Sequence, residues 1–457
     1  MEFISFPFAV ILIVSFFFYY GMKRNGGQKA VLLLASMAFI GYYHLMYLVV
    51  SILVALFTYG VGLLLADRRG TKGAAYLLAA SIIVLAGTWL MFRCYLQRFP
   101  LGMSFYTFQA LSYLIEVYWE DEEPEKNVVD FTLYMLLFMK FLSGPIERGY
   151  DLLPQLKKSH AFDYCAITGG MKLLLLGVMM KLLIADRIAP YLDNIFGSVR
   201  DASGIQLLEA TLLYPIQLYT DFAGYTNMAI GIGMMFGFKL SPNFNRPFVS
   251  LTTGELWRRW HMSLSFWVRD YIFVPLTATF RGWNKWGIYF SLIVTFVSLG
   301  IWHGAGWTFA IYGLIQGVII IYETAMKQQR EKVKQRIGER VFNTLSIVRT
   351  YILFALSLLF FRVDGLTNVG YTLSHLTDGV RHSFKEANLG MADHDWIVFG
   401  IATVLYFIYE YFNERHDLIK GLERRSFTLR WCVYYVCLIL LFMYGAFGVE
   451  NFIYIQF

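Results

Sequence analysis

Long apolar runs separated by short polar connectors dominate this chain. The first run, 3–22, is about 20 residues long, which as a helix matches the ~30 Å hydrocarbon core of a bilayer. Lipid offers the backbone no hydrogen-bond partner, and the runs lack the alternation of a membrane barrel, so every run is predicted to be helical. The further runs fall at about 30–49, 51–66, 74–92, 102–119, 130–143, 168–184, 205–238, 286–301, 306–325, 346–361, 396–411 and 428–446.

Some runs contain residues that favour a break. Pro215, Asp221 and Gly224 interrupt the run 205–238, so we expect a helix break near Gly224 and some re-entrant or tunnel-lining segments. The prediction is an all-α polytopic membrane protein with about 10 to 13 crossings around a central tunnel. Because no internal repeat and no soluble domain can be recognised, residues 1–457 are treated as one membrane domain.

The composition supports this class. Hydrophobic residues make up 57% of the 457 positions and charged residues 16%, which excludes a water-soluble globule. Aromatic residues, at 18%, suit a wall that faces lipid and places rings at both interfaces. The lipid bilayer is therefore the first expected partner.

The net charge of +7 does not indicate nucleic-acid binding, because the charges lie in connectors between the apolar runs. The basic connectors 23–29, 68–72, 327–340 and 420–430 are assigned to the cytoplasm, which places both termini outside. We therefore predict a multi-pass protein of the cell inner (cytoplasmic) membrane with no nucleic-acid partner.

Three polar connectors have specific expectations. The basic connector 327–340 is interpreted as a solvated helical face, with an anionic-lipid site as the alternative. The acidic connector 120–127 is expected to be a solvated turn, and 363–395 an external loop of modest size.

Cysteine and histidine spacings do not indicate a metal site. The four cysteines include no C-x-x-C pair and are assigned no chemistry. No acidic residue or histidine completes a ligand set with His261 or His303. We expect no metal and no tightly bound cofactor.

The segment 254–275 mixes arginines, tryptophans and one histidine with apolar residues. As a single helix it places Trp257, His261 and Leu264 on one face. We predict an amphipathic helix at the cytoplasmic interface, with its arginines facing headgroups or an anionic ligand. These arginines are Arg258, Arg259 and Arg269.

His303 is the strongest candidate for acid–base chemistry. It follows an uncharged helix and is flanked by Gly300, Gly304 and Gly306, which allow another backbone or a substrate to come close. A buried imidazole stays neutral at physiological pH and can take a proton. From residue chemistry alone, a histidine that only hydrogen-bonds a neighbouring helix remains an equal alternative.

Several motifs together resemble the membrane-bound O-acyltransferase family, in particular its bacterial branch of alginate O-acetylation and D-alanyl transfer proteins. The resemblance covers most of 100–310, the catalytic core, plus the C-terminal end. The motifs are PLGMSFYTFQALSYLIEVY (100–118), SGPIER (143–148), KLLIADRIAPYLDNIF (181–196), LYTDFAGYTNMAIGIGMMFGF (218–238), NFNRPF (243–248), LWRRWHMSLSFWVRDYIFVPL (256–276), IWHGAGWTF (301–309) and FIYIQF (452–457).

The resemblance implies roles for particular residues. The catalytic histidine of the family's WHG motif falls on His303, and its second functional histidine falls on His261. A tunnel would let an acyl thioester approach His303 from the cytoplasm and an acceptor hydroxyl from outside. Residues assigned to substrate binding are Asn243, Asn245, Arg258, Arg259, Trp257 and Trp302.

Asp221 is assigned a structural role, paired with an arginine or a tyrosine.

Two departures from the family pattern stand out. Alginate-type members commonly carry a histidine in a W/Y-G-x-x-H-G run, whereas this chain has YGLIQG with Gln316 at that position, so a proton-handling role there is lost. PLTATFRGWNK (275–285) replaces PLGGNRKG, so the resemblance implies no recognition of a donor or a partner at this loop.

The leading hypothesis is an O-acyltransferase that moves a small acyl group, acetyl, from a cytoplasmic thioester toward a hydroxyl of an envelope polysaccharide or peptidoglycan. The donor would be acetyl-CoA or an acyl carrier protein, and the resemblance implies an extracytoplasmic acyltransferase as partner. The alternatives are D-alanyl transfer from a carrier protein and, outside enzymes, a transporter or channel for an acyl carrier or lipid.

Overall fold

The computed structural model describes residues 3–94, 100, 102–142, 144–304, 306–378 and 388–448. Within those ranges the chain is helical and forms no strand, which confirms the all-α prediction. The C-terminal motif 452–457 and part of the predicted loop 363–395 lie outside the described residues.

The helices form two compact units. The first unit comprises 1–178 and 225–242, and the second comprises 179–224 and 243–457. The α-helices in chain order are α1 (Phe6–Gly21), α2 (Asn25–Tyr43), α3 (Leu45–Asp67), α4 (Lys72–Cys94), α5 (Met103–Trp119), α6 (Val128–Leu136), α7 (Phe138–Phe141), α8 (Gly149–Leu156), α9 (Tyr164–Met179), α10 (Asp186–Gly197), α11 (Gly204–Met235), α12 (Thr253–Arg259), α13 (Met262–Val268), α14 (Val274–Thr279), α15 (Lys285–His303), α16 (Trp307–Ala325), α17 (Lys327–Ile337), α18 (Glu339–Arg362), α19 (Leu366–His375), α20 (Asp393–His416), α21 (Leu418–Glu423) and α22 (Phe427–Tyr444). Short π-helical turns cover Met180–Ala185 and Arg269–Phe273, and 3₁₀ turns cover Pro247–Val249 and Arg281–Trp283.

Membrane-spanning helices account for much of the chain. By length and composition, eight helical segments in the described part can cross a bilayer. The chain is therefore a multi-pass membrane protein. Helix α1 is apolar but has only 16 residues, so the sequence-based number of crossings stays a prediction. The eight segments are Leu45–Asp67, Lys72–Arg93, Tyr164–Gly197, Lys285–His303, Trp307–Ala325, Glu339–Arg362, Asp393–His416 and Phe427–Tyr444.

The expected break in the run 205–238 is wrong. Helix α11 continues without interruption from Gly204 to Met235, with Pro215 inside it. A proline removes one backbone donor, and neighbouring helices can compensate for this within a membrane protein. Asp221 has a partner that the prediction did not name, since its Oδ1 lies 2.8 Å from the Nζ of Lys181.

The connectors 327–340 and 363–395 are partly helical. The basic connector forms α17, in which no residue is buried, as expected of a solvated face. The described part of the predicted external loop contains α19, Leu366–His375.

The acidic connector 120–127 is not simply a solvated turn. Glu122 and Glu125 are buried, and Glu125 pairs with Lys157 at 2.7 Å. Burial, and then the charge of Glu116, raise the pKa of Glu122 to about 8. The connector folds back on the end of α5, where the backbone N–H groups of Asp121 and Glu122 donate to the carbonyl of Glu116.

The raised pKa of Glu122 predicts that the free energy of unfolding depends on pH. Because its pKa is raised in the folded protein, Glu122 contributes stability that is fully present below the ordinary glutamate pKa and is lost as pH rises through about 8. We expect the melting temperature in detergent to fall between about pH 4.5 and pH 8, and Glu122→Gln to remove part of that fall. Glu123→Gln changes a strongly exposed neighbour and is the matched control. Identical pH dependence in wild type and Glu122→Gln would contradict the burial.

Candidate active site

His303 is the last residue of α15, in the second unit. Its side chain is buried, with 4% of the residue exposed. The ring centroid lies 4.5 Å from that of Trp302 and 5.1 Å from that of Phe361 on α18. An imidazole in this aromatic enclosure is shielded from bulk water, and hydrogen bonds made there are stronger than in water.

Close packing of α15 against α16 fixes the position of His303. A Cβ at Gly300 would lie 2.2 Å from the carbonyl oxygen of Phe309, and a Cβ at Gly313 would lie 2.1 Å from that of Phe296. Only glycine permits this approach, as expected for helix pairs in membranes. Of the glycines that flank His303 in the sequence, Gly300 therefore brings the two helices together and Gly304 leaves room for the ring of Phe309. Their use by a substrate stays a prediction.

His261 lies at a break between two short helices, so the single helix predicted over 254–275 is wrong. Helix α12 ends at Arg259, and His261 adopts a left-handed backbone with φ of 42° before α13 begins at Met262. Asn243 stabilises the break, because its Oδ1 accepts hydrogen bonds from the N–H (3.1 Å) and the hydroxyl (2.7 Å) of Ser263. Trp257, His261 and Leu264 consequently do not share the face of one helix.

The break directs the imidazole of His261 into the protein. The residue is 1% exposed, and its ring centroid lies 4.6 Å from that of Phe222 on α11. Burial, and then the charge of His303, hold the pKa of His261 well below its usual range. His261 is therefore neutral at physiological pH, and a neutral imidazole offers one donor and one acceptor. The charge of His303 contributes to this shift, so the two imidazoles lie within the range of electrostatic interaction.

Two other predicted binding residues are parts of internal contacts. The indole N–H of Trp257 donates to the Oε1 of Gln316 at 3.0 Å. Asn243 supports the break at His261, as described above. Their assignment to substrate binding stays a prediction, but each has a structural contact that the sequence did not indicate.

The three predicted basic residues differ in whether they form an ion pair. Arg258 is exposed. Arg259 pairs with Glu255 at 3.0 Å and donates to the carbonyl of Asn245 at 3.2 Å. Arg269 pairs with Asp270 at 2.7 Å. Arg258 is thus the one of these three arginines to which the structure gives no ion pair within the described residues.

A buried ionic cluster was missed by the sequence analysis. Lys181 is 0% exposed, and its Nζ lies 2.7 Å from Asp186 and 2.8 Å from Asp221. The cluster joins the π-helical turn to α10 and α11. Asp221 directly precedes Phe222, which packs on His261. Lys181 and Asp221 can be recognised in the sequence as charged residues within apolar runs. Their pairing across 40 positions cannot.

The fold and the two buried histidines define a polytopic membrane protein that is helical in its described part and has buried imidazoles in its second unit. Residues 122–362 match the model of the membrane-bound O-acyltransferase family, MBOAT, and the chain belongs to this family.

Individual relatives are acyl-transfer proteins by name. A probable alginate O-acetylase of Azotobacter vinelandii is 36% identical over 307 residues, 66% of this chain and 60% of that protein. A peptidoglycan O-acetyltransferase of Helicobacter pylori is 30% identical over 335 residues, covering 65% and 62%. A teichoic acid D-alanyltransferase of Bacillus subtilis is 30% identical over 259 residues, covering 55% and 65%. The chain thus spans less than two thirds of each of these three relatives.

Proposed function

We propose that this chain is an O-acyltransferase that moves a small acyl group, acetyl, from a thioester to a hydroxyl, with His303 as general base. The observation that carries the proposal is the burial of two histidines, His303 and His261, within one unit and within electrostatic reach of each other. Membership of the membrane-bound O-acyltransferase family supports it.

The proposed reaction needs a base and a donor of hydrogen bonds. A ring nitrogen of His303 takes the proton of the acceptor hydroxyl as its oxygen attacks the thioester carbonyl carbon. The carbon–sulfur bond then breaks, and the thiolate leaves with the proton returned by the imidazolium of His303. His261, kept neutral by burial, can donate its N–H to the carbonyl oxygen as negative charge develops there.

The proposed substrates follow from the chemistry and from the relatives. A cytoplasmic thioester, acetyl-CoA or an acyl carrier protein, supplies the group from the inner membrane's cytoplasmic face. The acceptor is a hydroxyl of an envelope polysaccharide or peptidoglycan, reached directly or through an extracytoplasmic acyltransferase. Support comes from the names of the alginate and peptidoglycan O-acetylating relatives.

D-alanyl transfer is the second candidate. It is favoured by the Bacillus subtilis teichoic acid D-alanyltransferase, whose match covers 55% of this chain. The acetylating relatives cover more of the chain, 65% and 66%, and acetyl transfer is therefore the leading proposal.

Inverted membrane vesicles from cells that carry or lack the gene distinguish these activities. Radiolabelled acetyl-CoA is added to the exposed cytoplasmic face, and labelled D-alanyl carrier protein is added in a parallel assay. We expect gene-dependent release of free CoA and label on lumenal polymer or protein. Consumption of the D-alanyl carrier alone would replace acetyl by D-alanyl transfer. Entry of intact donor without thioester cleavage would support a transporter and overturn the proposal.

A further inference from the structure

Gln316 lies at the centre of a buried hydrogen-bond chain in the second unit. The residue is 1% exposed, in the middle of α16. Its Oε1 accepts from the indole N–H of Trp257 at 3.0 Å, and its Nε2 donates to the hydroxyl of Ser357 at 2.7 Å. One amide therefore connects α12, α16 and α18.

Each partner of Gln316 is adjacent to one of the two histidines. Trp257 is in the last turn of α12, which ends immediately before the break that carries His261. Ser357 lies one turn before Phe361 on α18, and Phe361 packs on the ring of His303. The two hydrogen bonds of Gln316 thus connect α12, which leads to His261, with α18, which packs on His303.

The helix that carries Gln316 is itself fixed against the helix of His303. At Gly313, one turn before Gln316, α16 lies so close to α15 that a Cβ would be 2.1 Å from the carbonyl oxygen of Phe296. Trp257 also contacts α15, with its ring centroid 5.4 Å from that of Phe296. The position of Gln316 relative to α15 is therefore fixed by close helix packing, and so is that of its partner Trp257.

We infer that Gln316 is a positioning residue that sets the spacing between His261 and His303. This inference rests on the proposed acyl transfer, in which both imidazoles act on one thioester. The side-chain amide suits the task because it accepts at one end and donates at the other. A neutral imidazole offers the same pair of functions, one donor and one acceptor.

Three substitutions test the inference in the vesicle assay. Gln316→Met keeps the size but removes both hydrogen bonds, and we expect kcat to fall about 10- to 100-fold with the KM for the thioester nearly unchanged, because misplacement of catalytic groups affects the transition state. Gln316→His is expected to restore most of kcat. Gln217→Met makes the same change at another buried glutamine, whose Oε1 accepts no hydrogen bond in the described part of the chain, and should leave kcat near wild type.

The contrary results are equally specific. A wild-type kcat in Gln316→Met, an equal loss in Gln316→Met and Gln316→His, or a raised KM at unchanged kcat would overturn the positioning role. If Gln316→Met does not yield folded protein, Ser357→Ala removes only one bond of the chain, and a wild-type kcat there would also overturn it. His303→Ala is measured in parallel, because full activity in that variant would contradict the proposed function whatever happens at Gln316.

Discussion

Replacing His303 with alanine is expected to lower the rate of acyl transfer about 10²- to 10⁴-fold, the usual contribution of a general base. The acceptor hydroxyl would then lose its proton without help, while the positioning of both substrates would persist. The measurement is gene-dependent release of CoA from acetyl-CoA in inverted vesicles containing equal amounts of folded protein. A thioester affinity close to wild type would accompany the loss, because the ring acts on the proton and not on donor binding.

His416→Ala is the control for this experiment. His416 is exposed at the end of α20, so its removal should leave the rate unchanged. If His303→Ala folds normally and transfers acetyl as fast as the His416→Ala control, His303 has only a structural role and the proposed mechanism is lost.

Replacing Lys181 with methionine is expected to destabilise the folded protein by about 3–5 kcal/mol, the cost of removing one partner from a buried ion pair. Asp186 and Asp221 would then remain as two buried carboxylates without the lysine charge that balances them, since Lys181 is 0% exposed. We expect much less folded protein in fluorescence-detected size-exclusion chromatography and a lower melting temperature in detergent.

Two further variants separate charge from packing. The triple variant Lys181→Met, Asp186→Asn, Asp221→Asn carries no buried charge in this cluster and should recover most of the folded protein. Lys158→Met, at an exposed position, should behave as wild type. A melting temperature of Lys181→Met equal to that of Lys158→Met would show that the ionic cluster contributes nothing to the fold.

The helices were predictable because their signal is local. Apolar runs of membrane-spanning length, such as 51–66 and 346–361, correspond to α3 and α18, since lipid leaves the backbone no alternative to helix. The two histidines could also be selected from the sequence, because an ionisable side chain in apolar surroundings is costly and therefore informative. Their catalytic roles remain part of the proposal.

Features that depend on distant contacts were not predictable. The break at His261 is stabilised by Asn243, which lies outside the helical pattern of 254–275. The continuity of α11 through Pro215 and Gly224 requires neighbours that no local rule identifies. Gln316 was recognised only as a departure from a family pattern, because its partners Trp257 and Ser357 lie 59 and 41 positions away.

The most direct test of the central claim is a cryo-electron microscopy structure of the protein with a non-hydrolysable thioether analogue of acetyl-CoA. If the two histidines form the acyl-transfer site, the carbonyl oxygen of the analogue will lie within about 3.2 Å of a ring nitrogen of His261, the reach of a hydrogen bond, and its carbonyl carbon will face the ring of His303 with room for the acceptor hydroxyl between them. Analogue bound elsewhere, with His303 enclosed by side chains and out of reach of the carbonyl, would contradict the account.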